Sequence, residues 1–363
     1  MTIRVLVIAN YSDLPETHQL IGVHRAGVDL LVMCPETAPH RQLLLDAGVK
    51  VIWLTLANRF DSPGKAAIQA VLDENEFDIV HVFSSWALQN TLPLVKHLPV
   101  KLIAYRGIEG NVSVFDPISW LTYLNPRVDK IICVANAIRD FFKRLKFLWW
   151  EFPRDKVVTI YKGHDLSWYQ KPAVPRSDWG VPEDAFLVGC TVNERPRKGL
   201  SFLVDAIPRV AIIGLNIHLL LIGTISGKKT LEKISLSLMK ESIHLTGFRH
   251  NAAQILAACD ACILPTIKRE GLPKSIIEGM VHQVTPIVTN TGGSPELIEP
   301  GISGLVIEPG SASAISEAIT QLAQNPQHNH DMGVAAQARI QRDFNTVATV
   351  EQTLAVYREV LQH

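Results

Sequence analysis

Residues 269–280 read REGLPKSIIEGM and come directly after a short apolar run that predicts a buried strand. Pro273 stands where the first helical position is expected, because a proline loses no hydrogen bond there. A helix is therefore predicted from near Leu272, with Glu270 in the loop before it and Glu278 about two turns along it. A helix start after a glycine-containing loop offers unpaired backbone N–H groups and the positive end of a dipole. The stretch predicts a phosphate site at a strand–helix turn.

The two carboxylates of this stretch need a partner other than phosphate, since like charges repel. Sugar hydroxyls fit, because an ionised carboxylate accepts hydrogen bonds from two hydroxyl groups. Glu270 in the loop and Glu278 on the helix are placed to hold two sugar rings, one on each side of a diphosphate. The ligand implied is a nucleotide sugar. The alternative interpretation is a solvated loop followed by an ordinary amphipathic helix.

The whole string resembles the retaining nucleotide-sugar glycosyltransferases of family four. The similarity lies in Glu-x7-Glu within EGLP…IEGM, in TPIV at 285–288 and in GGSPE at 292–296. The resemblance implies the α/β GT-B architecture, with two Rossmann-like, doubly wound parallel-sheet domains facing across a cleft. It also implies hexosyl transfer from a nucleotide-diphosphate sugar to a glycan or lipid-linked acceptor, without a cofactor, in polysaccharide or lipopolysaccharide biosynthesis.

Composition limits the remaining function classes. The chain has 363 residues, enough for two domains, and 47% of them are hydrophobic. The 35 basic and 35 acidic residues balance, so a nucleic-acid partner is not expected. Five cysteines, including Cys259-x-x-Cys262 without a second ligand pair, indicate core packing in a reducing compartment. No signal peptide or membrane-spanning run is visible, which predicts a cytoplasmic protein with the inner membrane face as the place of any lipid contact.

Apolar strand-like runs alternate with helical stretches along both halves of the sequence, as expected of doubly wound sheets. After the first run, residues 10–13 lack the Gly-x-Gly-x-x-Gly of a dinucleotide-binding dehydrogenase, and also the glycine-rich turn usual in the resembled family. The predicted first domain, on the acceptor side, covers 1–170 and is joined by a final helix at 346–363. A proline-rich linker is predicted at 171–184 and the donor-side domain at 185–345.

The donor side has a second polar turn, NERPRKG at 193–199, between a strand and a helix. The resemblance places an arginine and a Lys-Gly pair here on the donor diphosphate. Lys198 matches, and Arg195 is the preferred arginine, with Arg197 as the competitor. Two cations facing Glu270 would neutralise a diphosphate leaving group. The predicted catalytic residues are thus Arg195, Lys198 and Glu270; the predicted donor-binding residues are Glu278, Gly271, Leu272, Pro273, Lys274, Phe248 and Arg249.

Three residues at predicted strand ends are the acceptor-side candidates: His81, Tyr105 and Arg106. Members of the resembled family often carry a histidine close to the reacting sugar where this chain has Arg106. An arginine cannot act as a base at neutral pH, so Arg106 would instead hold an acceptor phosphate or hydroxyl. The alternative is a surface arginine at a strand end. For His81, a core or rim histidine is the alternative to a catalytic one.

Residues 141–150 read FFKRLKFLWW and interleave aromatic and basic side chains. Such a segment suits a membrane interface, with Phe141, Phe142, Trp149 and Trp150 at headgroup depth and Lys143 among the cations that meet anionic lipid. The alternative is that the aromatic rings fill the core of the first domain or the cleft.

No Asp-x-Asp occurs in the sequence, so we expect no metal on the diphosphate, and side-chain cations in its place. Two other functions remain open. A glycoside hydrolase also uses two carboxylates, but it has no need of the Arg195–Lys198 pair. A catalytically silent nucleotide-sugar binder would keep the fold and the binding residues without turnover.

Overall fold

The computed structural model describes residues 2–10 and 13–362, which divide into two compact units. The first unit comprises the chain up to His164 together with the residues from Phe344 onward, and the second comprises Asp165–Asp343. The sequence prediction put a linker at 171–184. In the structure this segment belongs to the second unit, where the Val174 N–H donates to the Gln254 carbonyl at 3.0 Å.

The first unit is built on a seven-stranded sheet in which every pairing is parallel. The strands of this unit are β1 (Arg4–Ile8), β2 (Asp29–Cys34), β3 (Lys50–Trp53), β4 (Ile79–Val82), β5 (Lys101–Arg106), β6 (Lys130–Cys133), the short pair β7 (Lys146–Phe147) and β8 (Trp150–Glu151), and β9 (Val157–Thr159). The sheet order is β3-β2-β1-β4-β5-β6-β9, and β7 and β8 form a separate antiparallel hairpin. The helices are α1 (Leu14–Arg25), α2 (Arg41–Asp46), α3 (Ser62–Glu74), α4 (Ser85–Thr91), α5 (Pro117–Trp120) and α6 (Asn136–Lys143).

The second unit has a six-stranded parallel sheet. Its strands are β10 (Phe186–Thr191), β11 (Ile217–Ile222), β12 (Ile243–Gly247), β13 (Ala261–Leu264), β14 (Thr285–Thr289) and β15 (Leu305–Ile307). Its helices are α7 (Leu200–Ala211), α8 (Lys228–Ser235), α9 (Ala252–Leu256), α10 (Lys274–Val281), α11 (Ala312–Ala323) and α12 (Pro326–Asp343). The strand order is β12-β11-β10-β13-β14-β15, so the chain reverses its winding direction between β10 and β13. Ligands of doubly wound sheets bind at such a switch point, beyond the carboxyl ends of the strands.

The strands form where the sequence has continuous apolar runs, because parallel strands covered by helices are buried on both faces. In β10, for example, Leu187, Val188 and Cys190 are buried. The predicted α/β class with two doubly wound parallel sheets is confirmed. The five cysteines are free and buried, and burial raises the pKa of both Cys259 and Cys262, which agrees with core packing.

The final helix, α13 (Thr346–Gln362), packs on the first unit. A Cβ on Gly22 of α1 would overlap the Val350 side chain, so the glycine is what allows the two helices to approach closely. Gln19 donates a hydrogen bond to the Thr353 hydroxyl at 2.8 Å in the same interface. The final helix predicted at 346–363 is therefore present as Thr346–Gln362 and packs against α1.

Candidate active site

A cavity of about 350 Å³ lies at the switch point of the second sheet. Loops that leave the carboxyl ends of β10 and β13 contribute to it, together with the first turn of α10. The lining residues are Thr191, Val192, Asn193, Lys198, Ile222, Gly223, Phe248, Arg249, Ala252, Leu264, Glu270, Leu272, Pro273, Lys274, Ser275 and Glu278. Its volume lies within the range of about 300–1,000 Å³ that is usual for small-molecule sites.

Lys198 and Glu270 form an ion pair in this cavity. The Lys198 Nζ lies 2.7 Å from Glu270 Oε2, and the two side chains are only 16% and 12% exposed. The same carboxylate oxygen accepts a hydrogen bond of 2.9 Å from the hydroxyl of Thr266, which is fully buried. The Thr266 carbonyl in turn accepts a 2.5 Å hydrogen bond from Thr289 on β14. The carboxylate is therefore held by the Thr266 hydroxyl as well as by the lysine, and Thr266 is itself hydrogen-bonded to β14.

Three contacts between the two loops explain why Lys198 and Glu270, so far apart in sequence, meet. Gly199 has φ of +69°, and a Cβ on it would overlap the Pro265 carbonyl oxygen. Only glycine lets the turn after β10 approach the end of β13 this closely. The two loops are also hydrogen-bonded, from the Ile267 N–H to the Arg197 carbonyl at 2.7 Å and from the Arg197 guanidinium to the Arg269 carbonyl at 2.8 Å.

The helix of the central stretch begins two residues later than predicted. Pro273 has ψ of 108° and is the residue that precedes α10, so it is not the first helical residue, and the helix starts at Lys274. Glu278 accordingly lies about one turn along α10, not two, and its carboxylate is 3.3 Å from the Lys274 Nζ in an i,i+4 pair. The first turn of the helix lines the cavity, where its unpaired N–H groups and dipole favour an anion.

The structure places most of the predicted donor-side residues together. The cavity is lined by Lys198, Glu270, Leu272, Pro273, Lys274, Glu278, Phe248 and Arg249. Arg249 lies over the Trp179 ring at 5.2 Å, and its Nε donates to the Thr246 carbonyl at 3.0 Å. Gly271 lies in the same loop without lining the cavity, and Arg195 is exposed and is not among its lining residues. Of the two predicted cations in the 193–199 turn, the cavity therefore contains only Lys198.

Sequence reasoning did not single out Thr266, the cavity-side Asn193, or Ser275 in the first turn of α10. A threonine between a strand and a charged loop carries no spacing signal of its own. Its importance follows only from the 2.9 Å hydrogen bond to Glu270, which depends on the tertiary fold.

The acceptor-side candidates lie in the first unit, and the structure corrects one interpretation. Arg106 is 7% exposed, its guanidinium lies 4.7 Å from the centre of the Tyr123 ring, and it donates to the Gly110 carbonyl. The alternative of a surface arginine is therefore wrong. Tyr105 is buried beside it and stacks on Phe83 at 5.1 Å.

His81 is fully buried inside β4, with its Nδ1 2.9 Å from the Tyr357 hydroxyl of α13. Burial lowers the pKa of His81 to about 3, so the ring is neutral near pH 7. This environment is that of a core histidine, the alternative left open by the sequence.

A buried ionic cluster near the start of α1 was missed by sequence reasoning. The Lys162 Nζ lies 2.6 Å from Asp13 and 2.8 Å from Glu16, and it lies 5.6 Å from the centre of the Tyr105 ring. Asp13 and Glu16 also cap α1 reciprocally, and burial raises the pKa of Glu16. The capping pattern Asp-x-x-Glu was the available signal. Of the predicted 10–13 turn, Tyr11 and Ser12 lie outside the described residues.

The aromatic–basic segment is split between core and surface. Phe142 is fully buried in α6 and Trp150 is half-buried, with its ring 4.8 Å from that of Trp120. The β7–β8 hairpin carries Leu148 and Trp149 at its tip, 72% and 90% exposed. For Phe142 the core alternative is therefore correct, whereas Trp149 is at the surface.

Two glycosyltransferase family models match the chain, one in each half. A family model for glycosyl transferases group 1 matches residues 184–325, and one for Glycosyltransferase Family 4 matches residues 20–168. N-acetyl-alpha-D-glucosaminyl L-malate synthase of Bacillus anthracis is 24% identical over 213 residues, which are 58% of this chain and 55% of that protein. Alpha-maltose-1-phosphate synthase of Mycolicibacterium smegmatis is 26% identical over 257 residues, 64% of this chain and 63% of that protein. The matched segments thus span less than two thirds of these relatives.

Solved structures agree with the fold. A glycosyltransferase from Rickettsia africae superposes with a TM-score of 0.82 at 19% identity, covering 100% of this chain and 99% of that one. Anabaena Alr3699/HepE, solved in complex with UDP-glucose, gives a TM-score of 0.78 at 19% identity, covering 98% and 100%. With two parallel-sheet units, GT-B neighbours and both family models, the chain belongs to the family four (group 1) glycosyltransferases.

Proposed function

We propose that the chain transfers a sugar from a nucleotide-diphosphate sugar to a glycan or lipid-linked acceptor, with retention of anomeric configuration and without a metal ion. The observation that carries this is the Lys198–Glu270 pair in the switch-point cavity, beside the first turn of α10. A partly buried cation next to open helix N–H groups suits a diphosphate, and carboxylates in the same cavity suit sugar hydroxyls.

In the proposed reaction the bond between the anomeric carbon and the diphosphate oxygen breaks, and negative charge develops on the diphosphate. The Lys198 ammonium and the N–H groups of the first turn of α10 stabilise this charge, with Arg195 as a further cation once the donor is bound. Glu270 accepts hydrogen bonds from the donor sugar and Glu278 from the nucleotide ribose. The acceptor hydroxyl attacks the same face that the diphosphate leaves and passes its proton to a phosphate oxygen, which retains the configuration.

Relatives support the substrate class. HepE is a structural neighbour solved with UDP and with UDP-glucose, and the two relatives named above carry the names of glycoside-forming synthases. A panel of nucleotide sugars, read by turnover, together with thermal shift against UDP, GDP and ADP, tests the proposal. Stabilisation by one nucleotide with transfer of its sugar supports it. Stabilisation without transfer would identify a silent binder, and release of sugar from a glycoside without any nucleotide would identify a hydrolase.

Metal independence is a separate prediction, motivated by the missing Asp-x-Asp. We expect full turnover in excess EDTA, because Lys198 and helix N–H groups take the place of a bridging cation. The measurement is the initial rate with EDTA and after adding back Mg²⁺ or Mn²⁺. A rate that EDTA abolishes and either ion restores would contradict the proposed phosphate chemistry.

The acceptor side of the proposal includes peripheral membrane contact. No helix within residues 2–10 and 13–362 has the length and apolar character needed to cross a bilayer. The exposed surface consists of Phe147, Leu148 and Trp149 of the hairpin with Phe115, which is 78% exposed and meets Phe147 edge-to-face at 5.3 Å. We call these four residues the hairpin surface. Rings and aliphatic groups exposed in this way suit the headgroup region of a bilayer.

The charges around the hairpin surface are partly neutralised. The Arg144 guanidinium is 3.9 Å from the Glu109 carboxylate, and Lys146 lies opposite Glu151 in the register of the hairpin. Insertion of apolar side chains should therefore contribute more to membrane binding than the attraction of cations for anionic lipid.

We expect reversible co-sedimentation with phospholipid vesicles, and a Trp149→Ala, Phe115→Ala double variant should bind about tenfold or more weakly. Each large apolar side chain contributes about 1.5–3 kcal/mol when fully buried. Trp150 is left intact because it packs on Trp120. Leu238→Ala removes an equally exposed side chain from the second unit and serves as the control. Wild-type protein that stays in the supernatant with neutral and anionic vesicles alike would exclude the membrane contact.

A further inference from the structure

The first unit contains a groove that the proposed chemistry does not use. It has a volume of about 520 Å³ and lies between the start of α3, the end of α4 and the loop after α5. Its lining residues are Phe60, Lys65, Gln89, Leu92, Pro93, Lys96, Leu121, Asn125, Pro126 and Arg127. Half of these side chains are apolar, and Phe60 and Leu121 are more than half exposed. Exposed apolar side chains gathered around a groove indicate a binding surface.

The charged residues that line the groove are all basic. Three of its lining residues are cations, and none of the ten is acidic. Arg127 is already engaged, by Asp129 at 2.8 Å and by backbone carbonyls. Lys65 lies 5.9 Å from the centre of the Phe60 ring, and neither Lys65 nor Lys96 has an ion-pair partner within the described part of the chain. Two lysines are therefore available beside an apolar lining.

The groove adjoins the hairpin surface through α5 and the residue after it. Leu121 lines the groove, and its neighbour Trp120 packs on Trp150 at the base of the hairpin. Ile118 is three residues before Leu121 and is also exposed. Apolar side chains thus lead from the hairpin to the groove along one short segment.

We propose that this groove binds one hydrocarbon chain of an anionic lipid, with the lipid phosphate held by Lys65 and Lys96. The apolar lining with two available cations matches an amphiphile that has a negatively charged head, and it does not match a free sugar or a neutral lipid. The inference deepens the proposed function, because it assigns the acceptor to the class of lipid phosphates. The binding itself does not depend on sugar transfer.

The test is a thermal-shift and fluorescence titration of the full chain with three probes, in the absence of nucleotide. The two dodecyl compounds are kept below their critical micelle concentrations. We expect dodecyl phosphate to bind, while inorganic phosphate and the neutral dodecyl maltoside bind at least tenfold more weakly. The affinity for dodecyl phosphate should fall at least tenfold in the Lys65→Gln, Lys96→Gln double variant, and also in Phe60→Ser. Lys171→Gln with Lys240→Gln, at exposed lysines of the second unit, should leave it unchanged.

Each alternative outcome overturns the inference in a recognisable way. Equal binding of dodecyl maltoside would show that the lysines do not select a charged head, and equal binding of inorganic phosphate would show a simple anion site. Loss of binding in Trp149→Ala would locate the amphiphile on the hairpin surface, and dimers abolished by Phe60→Ser would show that a second copy covers the groove. The nucleotide response of the wild-type protein separates the two proposals: nucleotide binding without dodecyl phosphate binding overturns only the groove, and the reverse result overturns only the donor site.

Discussion

Lys198→Ala is expected to lower sugar transfer by on the order of a hundredfold or more, because one preorganised charge contact to the leaving group has about that effect. The Lys198 Nζ is held 2.7 Å from Glu270 in the cavity, so its position is set before the donor binds. The measurement is kcat and kcat/KM for the preferred nucleotide sugar, with the melting temperature recorded alongside. The loss should fall mainly on kcat, since the charge on the diphosphate grows as the bond breaks.

Lys233→Ala provides the matched control. Lys233 forms a comparable ion pair with Asp205 at 2.5 Å in the same unit, but it is not a lining residue of the cavity. Its loss tests what removing a paired lysine does to the fold alone. Near wild-type turnover in a folded Lys198→Ala protein would remove the leaving-group role.

Glu270→Gln is expected to weaken the recognition of the donor sugar without weakening the binding of the free nucleotide. Hydrogen bonds to a charged group contribute about 1.5–3 kcal/mol, so kcat/KM for the nucleotide sugar should fall roughly tenfold to a hundredfold. The free nucleoside diphosphate should bind as well as before or more tightly, because Lys198 no longer shares its charge with a carboxylate. The measurements are steady-state kinetics and calorimetric titration with the nucleotide alone.

Glu278→Gln is the comparison within the same cavity. If Glu278 holds the ribose, this change weakens the free nucleotide and the nucleotide sugar alike. A Glu270→Gln protein that loses affinity for both ligands equally would place Glu270 on the nucleotide and would leave the sugar without its assigned partner.

The sheets were predictable because buried parallel strands need continuous apolar runs, and those runs are visible without a structure. The first residue of α10 was harder to predict. Proline is favoured both just before and just inside a helix, and only the ψ of 108° at Pro273 distinguishes the two. The partners of the site residues were also hidden, since Lys198 and Glu270 are 72 residues apart and meet through the close approach of Gly199 to Pro265.

The hairpin shows another limit of sequence reasoning. Leu148 turns the chain with φ of +52°, a conformation that glycine or asparagine normally supplies, so nothing in the sequence marked a turn between Phe142 in the core and Trp149 at the surface. Burial of Arg106 was equally invisible, because a buried guanidinium depends on partners such as Tyr123 that only the folded chain brings near.

Leu148 makes the free protein less stable than glycine would at the same position. A side chain in the left-handed region costs about 1 kcal/mol relative to glycine, and an aliphatic group facing water gains nothing from burial. Both disadvantages belong to the protein in solution, and the second disappears when the hairpin tip is covered. Glycine at this position would relieve the backbone strain but remove apolar area from the proposed membrane contact, so stability in solution and membrane binding place opposite demands on residue 148.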